Sequence, residues 1–421
     1  MASPLSRVSS LSISLLRRSE RYIKTDMVYL ASGGLWLTLT QAAVVATGFL
    51  LSIAYANLMD PTEYGVFRYF LSIASILAIA TLPGAPGAYS QAVARGHEGD
   101  LMALMKSKVR WGMLGAAFSF AIAAYYVTQG NMVLGTGFLL LGISLPFLDT
   151  FSLYDSLFQG RKRFDVGARY AIIEQVLASG AVFVTLLMHP DALTVLMVYL
   201  LAWTLARAVL LFFVYRTTPP NALTEPQTIP FAKQLTIIGV IPLIAAYLDR
   251  IIIFHAVGPV ALAGFNFAIA IPDQMKSYFK SIQGLALPRL ATASSADVKQ
   301  TVRNKSLLIA AFLLASTIAY IVAAPLVFQF LFPKYVPFVV FSQVYALSVI
   351  FTEAVLPSLA LQAQQAKGAL YAFNVGRSLF LIAALVGFFF LWGIWGIIAA
   401  RVLSDLFALL LGLFLVRRIQ K

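Results

Sequence analysis

The residues best equipped for chemistry lie between Pro242 and Arg289, where two apolar stretches flank a Gly258-Pro259 turn. The second stretch carries Asp273, Lys276 and Lys280 among side chains otherwise suited to hydrocarbon. A charge at the centre of a membrane helix costs about 2.5 to 3.5 kcal/mol on insertion scales, so such groups face protein or a water-filled cavity. At about 3.6 residues per turn, Asn266, Asp273, Lys276, Ser277, Lys280 and Gln283 fall on roughly one third of a helix circumference. That sector can form a cationic cavity wall, because ammonium groups suit phosphate oxygens as point charges. The alternative is that Asp273 pairs with Lys276 or Lys280 and the stripe packs a bundle, or that Lys280 snorkels to the surface.

Other charges in apolar runs extend the pattern. Asp249 and Arg250 are adjacent and so point to different helix faces. Arg250 is expected to reach the cavity or a phosphate and Asp249 a neighbouring helix, although an interhelical structural pair fits the same spacing. Arg68 heads a stripe with Ser72 and Ser75 and either lines the cavity or snorkels. Asp149 shares a polar face with Ser152, Ser156 and Gln159, and Glu353 lies mid-span. Carboxylates at such depth mark ion or proton pathways. Asp149, Asp249, Asp273 and Glu353 are therefore candidates for proton or sodium coupling, with a partner arginine as the alternative. Arg401 and Asp405, one helical turn apart, are expected to pair with each other.

The chemistry this excludes is equally informative. The sequence has no G-x-x-x-x-G-K-[ST] phosphate loop and no cysteine. His97, His189 and His255 are scattered without metal-ligand spacing. No catalytic residue, metal site or cofactor is expected, and the chain is expected to hydrolyse no nucleotide itself.

The elements that must hold these groups are membrane helices. Of 421 residues, 60% are hydrophobic and only 11% charged, with a mean hydropathy of +0.85. A soluble protein is excluded on that balance. The net charge of +14 would suggest nucleic acid in a soluble chain. Here the basic residues cluster in short loops between apolar runs, as in loops facing anionic lipid, and the expected partner is the bilayer. Apolar runs of spanning length occur near 32–56, 67–94, 111–128, 132–158, 167–188, 194–215, 232–256, 260–286, 307–329, 337–363, 370–391 and 393–416. The predicted fold is an all-α polytopic membrane protein, with twelve transmembrane helices in two six-helix lobes around a central cavity.

Basic and non-basic connections alternate along this count. Arg95–Arg110, Arg161–Arg163, Arg216 onward, Arg289–Lys305 and Lys367 are basic; Asp60–Glu63, Thr128–Asn131, His189–Asp191 and Gly258-Pro259 are not. The positive-inside rule then puts both termini in the cytoplasm. The expected organisation is a basic segment 1–31 without a signal peptide, an N-lobe 32–215, a linker 216–231, a C-lobe 232–416 and a basic tail 417–421. An internal repeat matches Pro61 and Phe67 to Pro259 and Phe265, at the same point of each half. Repeats of this kind place a substrate site between halves in many transporters.

Short motifs in register carry a resemblance. They are Gly34-Leu35-Trp36, the Leu-x-Asp-Pro-x-Glu-Tyr-Gly turn at Leu58–Gly65, Leu82-Pro83-Gly84 with Ala92–Arg95, Leu248-Asp249-Arg250, Gly258-Pro259 with Phe265, and Leu287-Pro288-Arg289-Leu290. Together they resemble the oligosaccharide-lipid flippases of the multidrug/oligosaccharidyl-lipid/polysaccharide exporter superfamily. Ala263 departs from the pattern where the first half has Gly65. The resemblance implies a V-shaped pair of lobes whose cavity opens alternately to either side of a bacterial cytoplasmic (inner) membrane. It implies a polyprenyl-pyrophosphate-linked glycan as substrate, action as a monomer, and a polysaccharide polymerase and chain-length machinery as partners. Lys276, Lys280, Arg250, Arg68, Asn266 and Gln283 are the expected substrate-binding groups. Competing readings are a peptidoglycan-precursor flippase, which would need further spans, and a drug/cation exporter, which would need an acidic and aromatic cavity. A membrane glycan polymerase or ligase would need a large catalytic outer loop.

Overall fold

The computed structural model describes residues 27–284, 295–364 and 366–419. Residues 1–26 and the Leu287–Leu290 motif lie outside the described residues, as do the side chains of Lys280, Gln283 and Glu353. Among the described residues the chain is helical, without strands. The first lobe comprises α1 (Met27–Leu58), α2 (Pro61–Leu77), α3 (Ala85–Ala94), α4 (Leu101–Thr128), α5 (Met132–Leu148), α6 (Leu153–Gly160), α7 (Phe164–Met188) and α8 (Ala192–Thr217). The second comprises α9 (Thr228–Ala256), α10 (Pro259–Gly284), α11 (Ser295–Leu331), α12 (Val339–Ala346), α13 (Val355–Ala363), α14 (Lys367–Trp392) and α15 (Ile394–Ile419).

Among the described residues, eleven segments are long and apolar enough to cross a membrane, one fewer than the twelve expected. The difference is α10, which has 26 residues but lower hydropathy because Asn266, Asp273, Gln274 and Lys276 interrupt it. The polar stripe that singled out this helix is what removes it from an apolar count.

Among the described residues, three spans are interrupted. After α2, a 3-10 turn at Ala78–Thr81 leads into Leu82, which adopts a left-handed conformation (φ 56°) before Pro83. A proline inside a helix removes a donor and clashes with the preceding turn, so the helix restarts only at Ala85. The exposed carbonyl oxygens are not left empty. Lys108 Nζ donates to Thr81 O at 2.9 Å and to Leu82 O at 3.5 Å. Lys108 is buried because α4 starts at Leu101, not near 111 as hydropathy suggests. The fourth span of each half is also broken, at residues 149–152 between α5 and α6 and by a 3-10 turn at Leu347–Ala354 between α12 and α13. The break in the fourth span is thus common to both halves, whereas the break in the second span has no counterpart in α10, which is continuous from Pro259 to Gly284.

The lobes meet where α2 packs on α9 and α10, and where α3 packs on α9. Two glycines allow that approach. A Cβ on Gly65 would sit 1.9 Å from Pro259 O, and one on Gly84 would sit 2.4 Å from Ala232 O. Tyr64 stacks on Phe267 across the seam, with ring centroids 4.7 Å apart, and one apolar core runs through both lobes at this end. The short turns here are closed by side-chain caps: Asp60, Asn131 and Asp191 each accept from a backbone N–H of the helix that follows. At the opposite end, the strand-free connection from α8 to α9 is tied to the α3–α4 turn. Gly99 N donates to Leu223 O, Glu225 N to Asp100, and Asn221 N to Glu98, while Arg161 grips both oxygens of Glu98 at 2.7 Å.

Candidate functional site

The seam brings together residues 198 apart in sequence. Arg68 on α2 donates from Nε to Asn266 Oδ1 at 3.2 Å, and Arg250 on α9 donates from Nε to the same oxygen at 3.3 Å. Asn266 is buried on α10 and turns its Nδ2 back to Leu262 O. Arg68 has no carboxylate within salt-bridge distance among the described residues. Arg250 has one, Asp249, at 4.0 Å. Asp249, however, is completely buried and is claimed by Arg401 Nε at 2.6 Å. Two guanidiniums, one from each lobe, therefore converge on one neutral acceptor, which leaves local positive charge and unused donors at the seam.

Arg401 leads from the seam into a cavity of about 440 Å³ inside the second lobe. Its floor is an ionic cluster. Lys276 Nζ lies 2.9 Å from Asp273, 3.3 Å from Asp405 and 2.5 Å from the Tyr345 hydroxyl. Tyr345 in turn donates to Asp273 at 2.6 Å. Arg377 on α14 bonds the other oxygen of Asp405 at 2.6 Å. The i,i+4 pairing expected of Arg401 and Asp405 is not formed, because each side chain reaches another helix instead. Around Lys276 the charges of the described side chains balance, while the side chain of Lys280 lies outside the described residues. Lys276, Arg377 and Arg401 are matched by Asp273, Asp405 and Asp249.

Of the six proposed substrate-binding groups, the structure thus joins Arg68, Arg250 and Asn266 at the seam and sets Lys276 apart in the second-lobe cluster. The side chains of Lys280 and Gln283 are outside the described residues. Among the coupling candidates, Asp273 and Asp249 hold the partners just given. Asp149 accepts from Arg207 Nη1 at 2.7 Å, and Glu353 is outside the described side chains.

The first lobe contains its own cavity, about 720 Å³, between α1, α3, α6, α7 and α8. Arg207 on α8 stands between Asp149 and Glu174, at 2.7 and 2.8 Å, and Glu174 also accepts from Tyr154. The two lobes therefore carry inverted triads: a cation between two carboxylates in the first, the Asp405 carboxylate between Lys276 and Arg377 in the second. Glu174 and Arg377 are the eleventh residues of their respective helices, Phe164–Met188 and Lys367–Trp392. Glu174, Arg207, Lys108 and Tyr345 were not singled out from sequence. The signal for Glu174 and Arg207 was present, since each is an ionisable residue in mid-run.

Residues 30–294 match the family described as polysaccharide biosynthesis protein. No curated protein sequence matches the chain. In fold, the chain is similar to an inward-facing multidrug resistance MATE family transporter of the MOP superfamily (TM-score 0.61, 13% identity, 92% of this chain and 99% of that one). It is also similar to the lipid II flippase MurJ in an inward closed conformation (TM-score 0.59, 12% identity, 91% and 87%). A third similar structure is a MOP superfamily transporter from Pyrococcus furiosus whose binding pocket has reversed polarity (TM-score 0.59, 13% identity, 92% and 96%). These structural similarities establish a common two-lobed fold.

Proposed function

The chain belongs to the polysaccharide biosynthesis protein family, and from that premise we propose that it is a flippase for a polyprenyl-pyrophosphate-linked oligosaccharide, moving it across the cytoplasmic membrane by alternating access. The observation that carries this reading is the Arg68–Asn266–Arg250 convergence. A diphosphate offers several charged oxygens to two guanidiniums that have only a neutral amide between them. Because Arg68 and Arg250 come from different lobes, binding there is sensitive to how the lobes are set. The positive-inside rule puts the Tyr64–Phe267 end outside, so the seam is closed on that side in this structure. Glycan would enter from the cytoplasm, and rupture of the Gly65–Pro259 contact would release it outward.

The membrane potential supplies part of the work. Outward movement of negative charge is favoured by about 2.3 kcal/mol per elementary charge per 100 mV when the outside is positive. A proton or sodium ion coupled at Asp149, Asp249 or Asp273 would have to displace the arginine or lysine each now holds. A cation exporter fits the seam poorly, since like charges would meet there. The test is transport of a fluorescent polyprenyl-diphosphate saccharide in vesicles carrying the purified protein. Translocation should require Arg68 and Arg250, and full activity of the Arg68→Gln/Arg250→Gln double variant would sink the reading.

A further inference from the structure

We propose that the first-lobe cavity is a saccharide subsite that accepts neutral or amino sugars and rejects acidic ones. The proposal rests on the flippase reading and adds to it where the sugar sits and which sugars pass. The cavity volume, about 720 Å³, lies within the range of about 300–1,000 Å³ usual for small-molecule sites. Its wall includes Gln91, Ser152, Gln159, Gln175, Tyr154 and Trp203. Amide and hydroxyl groups both donate and accept, which is what a ring of sugar hydroxyls requires. An aromatic face offers apolar area to sugar C–H groups at low conformational cost.

The charge of the cavity sets the selection. Its one arginine, Arg207, is already engaged by Glu174 and Asp149. Asp155 also lines the cavity, and among the described residues it has no ion-pair partner. Its Oδ2 accepts from Gln159 Nε2 at 2.6 Å. The lining thus carries Asp155 and Glu174 against Arg207, one negative charge in excess. A uronate or sulfated ring would meet like charge in a partly desolvated space, whereas an ammonium or neutral ring would not. The second-lobe cavity, where Lys276, Arg377 and Arg401 are each matched by a carboxylate, is the charge-balanced contrast. α2, which bears Arg68, and α3, which bears Gln91, are two parts of one interrupted span.

The absence of cysteine makes a direct test available. Ser90→Cys places a thiol in the first-lobe cavity and Ser358→Cys one in the second. The full chain in detergent is treated with a water-soluble maleimide in the presence of maltose, glucosamine or glucuronate. Inorganic diphosphate binding is measured by calorimetry on the same preparations, with Arg250→Gln as control. Maltose and glucosamine should slow labelling of Ser90→Cys severalfold and leave Ser358→Cys unaffected, glucuronate should protect neither, and Trp203→Ala should abolish protection. Equal protection by glucuronate would overturn the charge selection. Arg250-dependent diphosphate binding without protection by maltose or glucosamine would overturn the saccharide subsite and leave the flippase reading standing. Loss of both signals would overturn the two together.

Discussion

Arg68 and Arg250 share a single acceptor, each donating from Nε to Asn266 Oδ1, so this polar contact between the lobes joins two like charges through a neutral amide. Asn266→Asp is the sharpest perturbation of this arrangement, because it adds one negative charge without changing size. A carboxylate between two guanidiniums forms charge-assisted bonds roughly twice as strong as neutral ones. The variant should melt at a higher temperature, and it should lose inorganic diphosphate binding by at least about tenfold, an effect worth about 1.4 kcal/mol. Calorimetry and a thermal melt on the same sample check both. Unchanged diphosphate affinity would mean that the guanidiniums do not hold the anion.

Lys276 was the group that drew attention to α10, and its surroundings change what its removal should do. Lys276→Met takes its cation from Asp273, whose side chain is partly exposed, and reduces Asp405 to Arg377. Removing one partner of a fully buried pair costs about 3–5 kcal/mol because a charge is stranded, and the partial exposure of Asp273 reduces that penalty. The single variant should therefore lose stability, and adding Asp273→Asn should restore much of it. Thermal melts of the two variants decide this. A stable single variant with abolished transport would instead give Lys276 a role in binding.

Much of this architecture was legible in the sequence. The apolar runs, the alternation of basic loops and the Pro61/Pro259 repeat each reflect a one-dimensional constraint imposed by the bilayer, and such constraints survive in sequence. The convergence on Asn266 did not follow from them, although all three residues were candidates. Helical spacing places Asn266 on the stripe with Lys276, but it cannot tell that the stripe begins at the seam and ends inside a lobe. The Arg401–Asp405 expectation failed for a related reason: the weak i,i+4 attraction on an isolated helix is outcompeted when Asp249 and Arg377 approach from neighbouring helices. Lys108 was read as a loop residue because its charge ends an apolar run, whereas the broken span beside it supplies the carbonyl oxygens that admit it.

Gly65 meets Pro259 at the point where the two repeated turns face each other. Gly65→Ala puts a methyl group against a backbone oxygen that cannot rotate away, so α2 and α10 must separate. The lobes should open at this end. In the cysteine-free background, a thiol at the buried Tyr64 position (Tyr64→Cys) should label slowly in the parent and much faster when Gly65→Ala is added. Equal rates would show that the contact does not govern opening.

The clasp at the opposite end gives a pH dependence outside the membrane spans. Arg161 hydrogen-bonds Glu98 and holds its carboxyl below the usual range, with a further contribution from the Asn221 N–H, although partial burial opposes both. A carboxylate whose folded pKa is depressed contributes stability that is fully present above its unfolded value, about 4.3, and is lost as pH falls through the folded one. The parent should therefore hold its melting temperature from neutral pH down to about 5 and then lose it steeply as the carboxyl protonates and releases Arg161. Glu98→Gln cannot ionise, and beside the Thr218 and Pro219 carbonyls it offers Arg161 one neutral oxygen in place of two charged ones. It should melt lower than the parent at neutral pH, and the gap should close under acid. A melting-temperature difference that stays constant from pH 7 to about pH 3 would show that the Glu98–Arg161 charge pair adds nothing to the clasp.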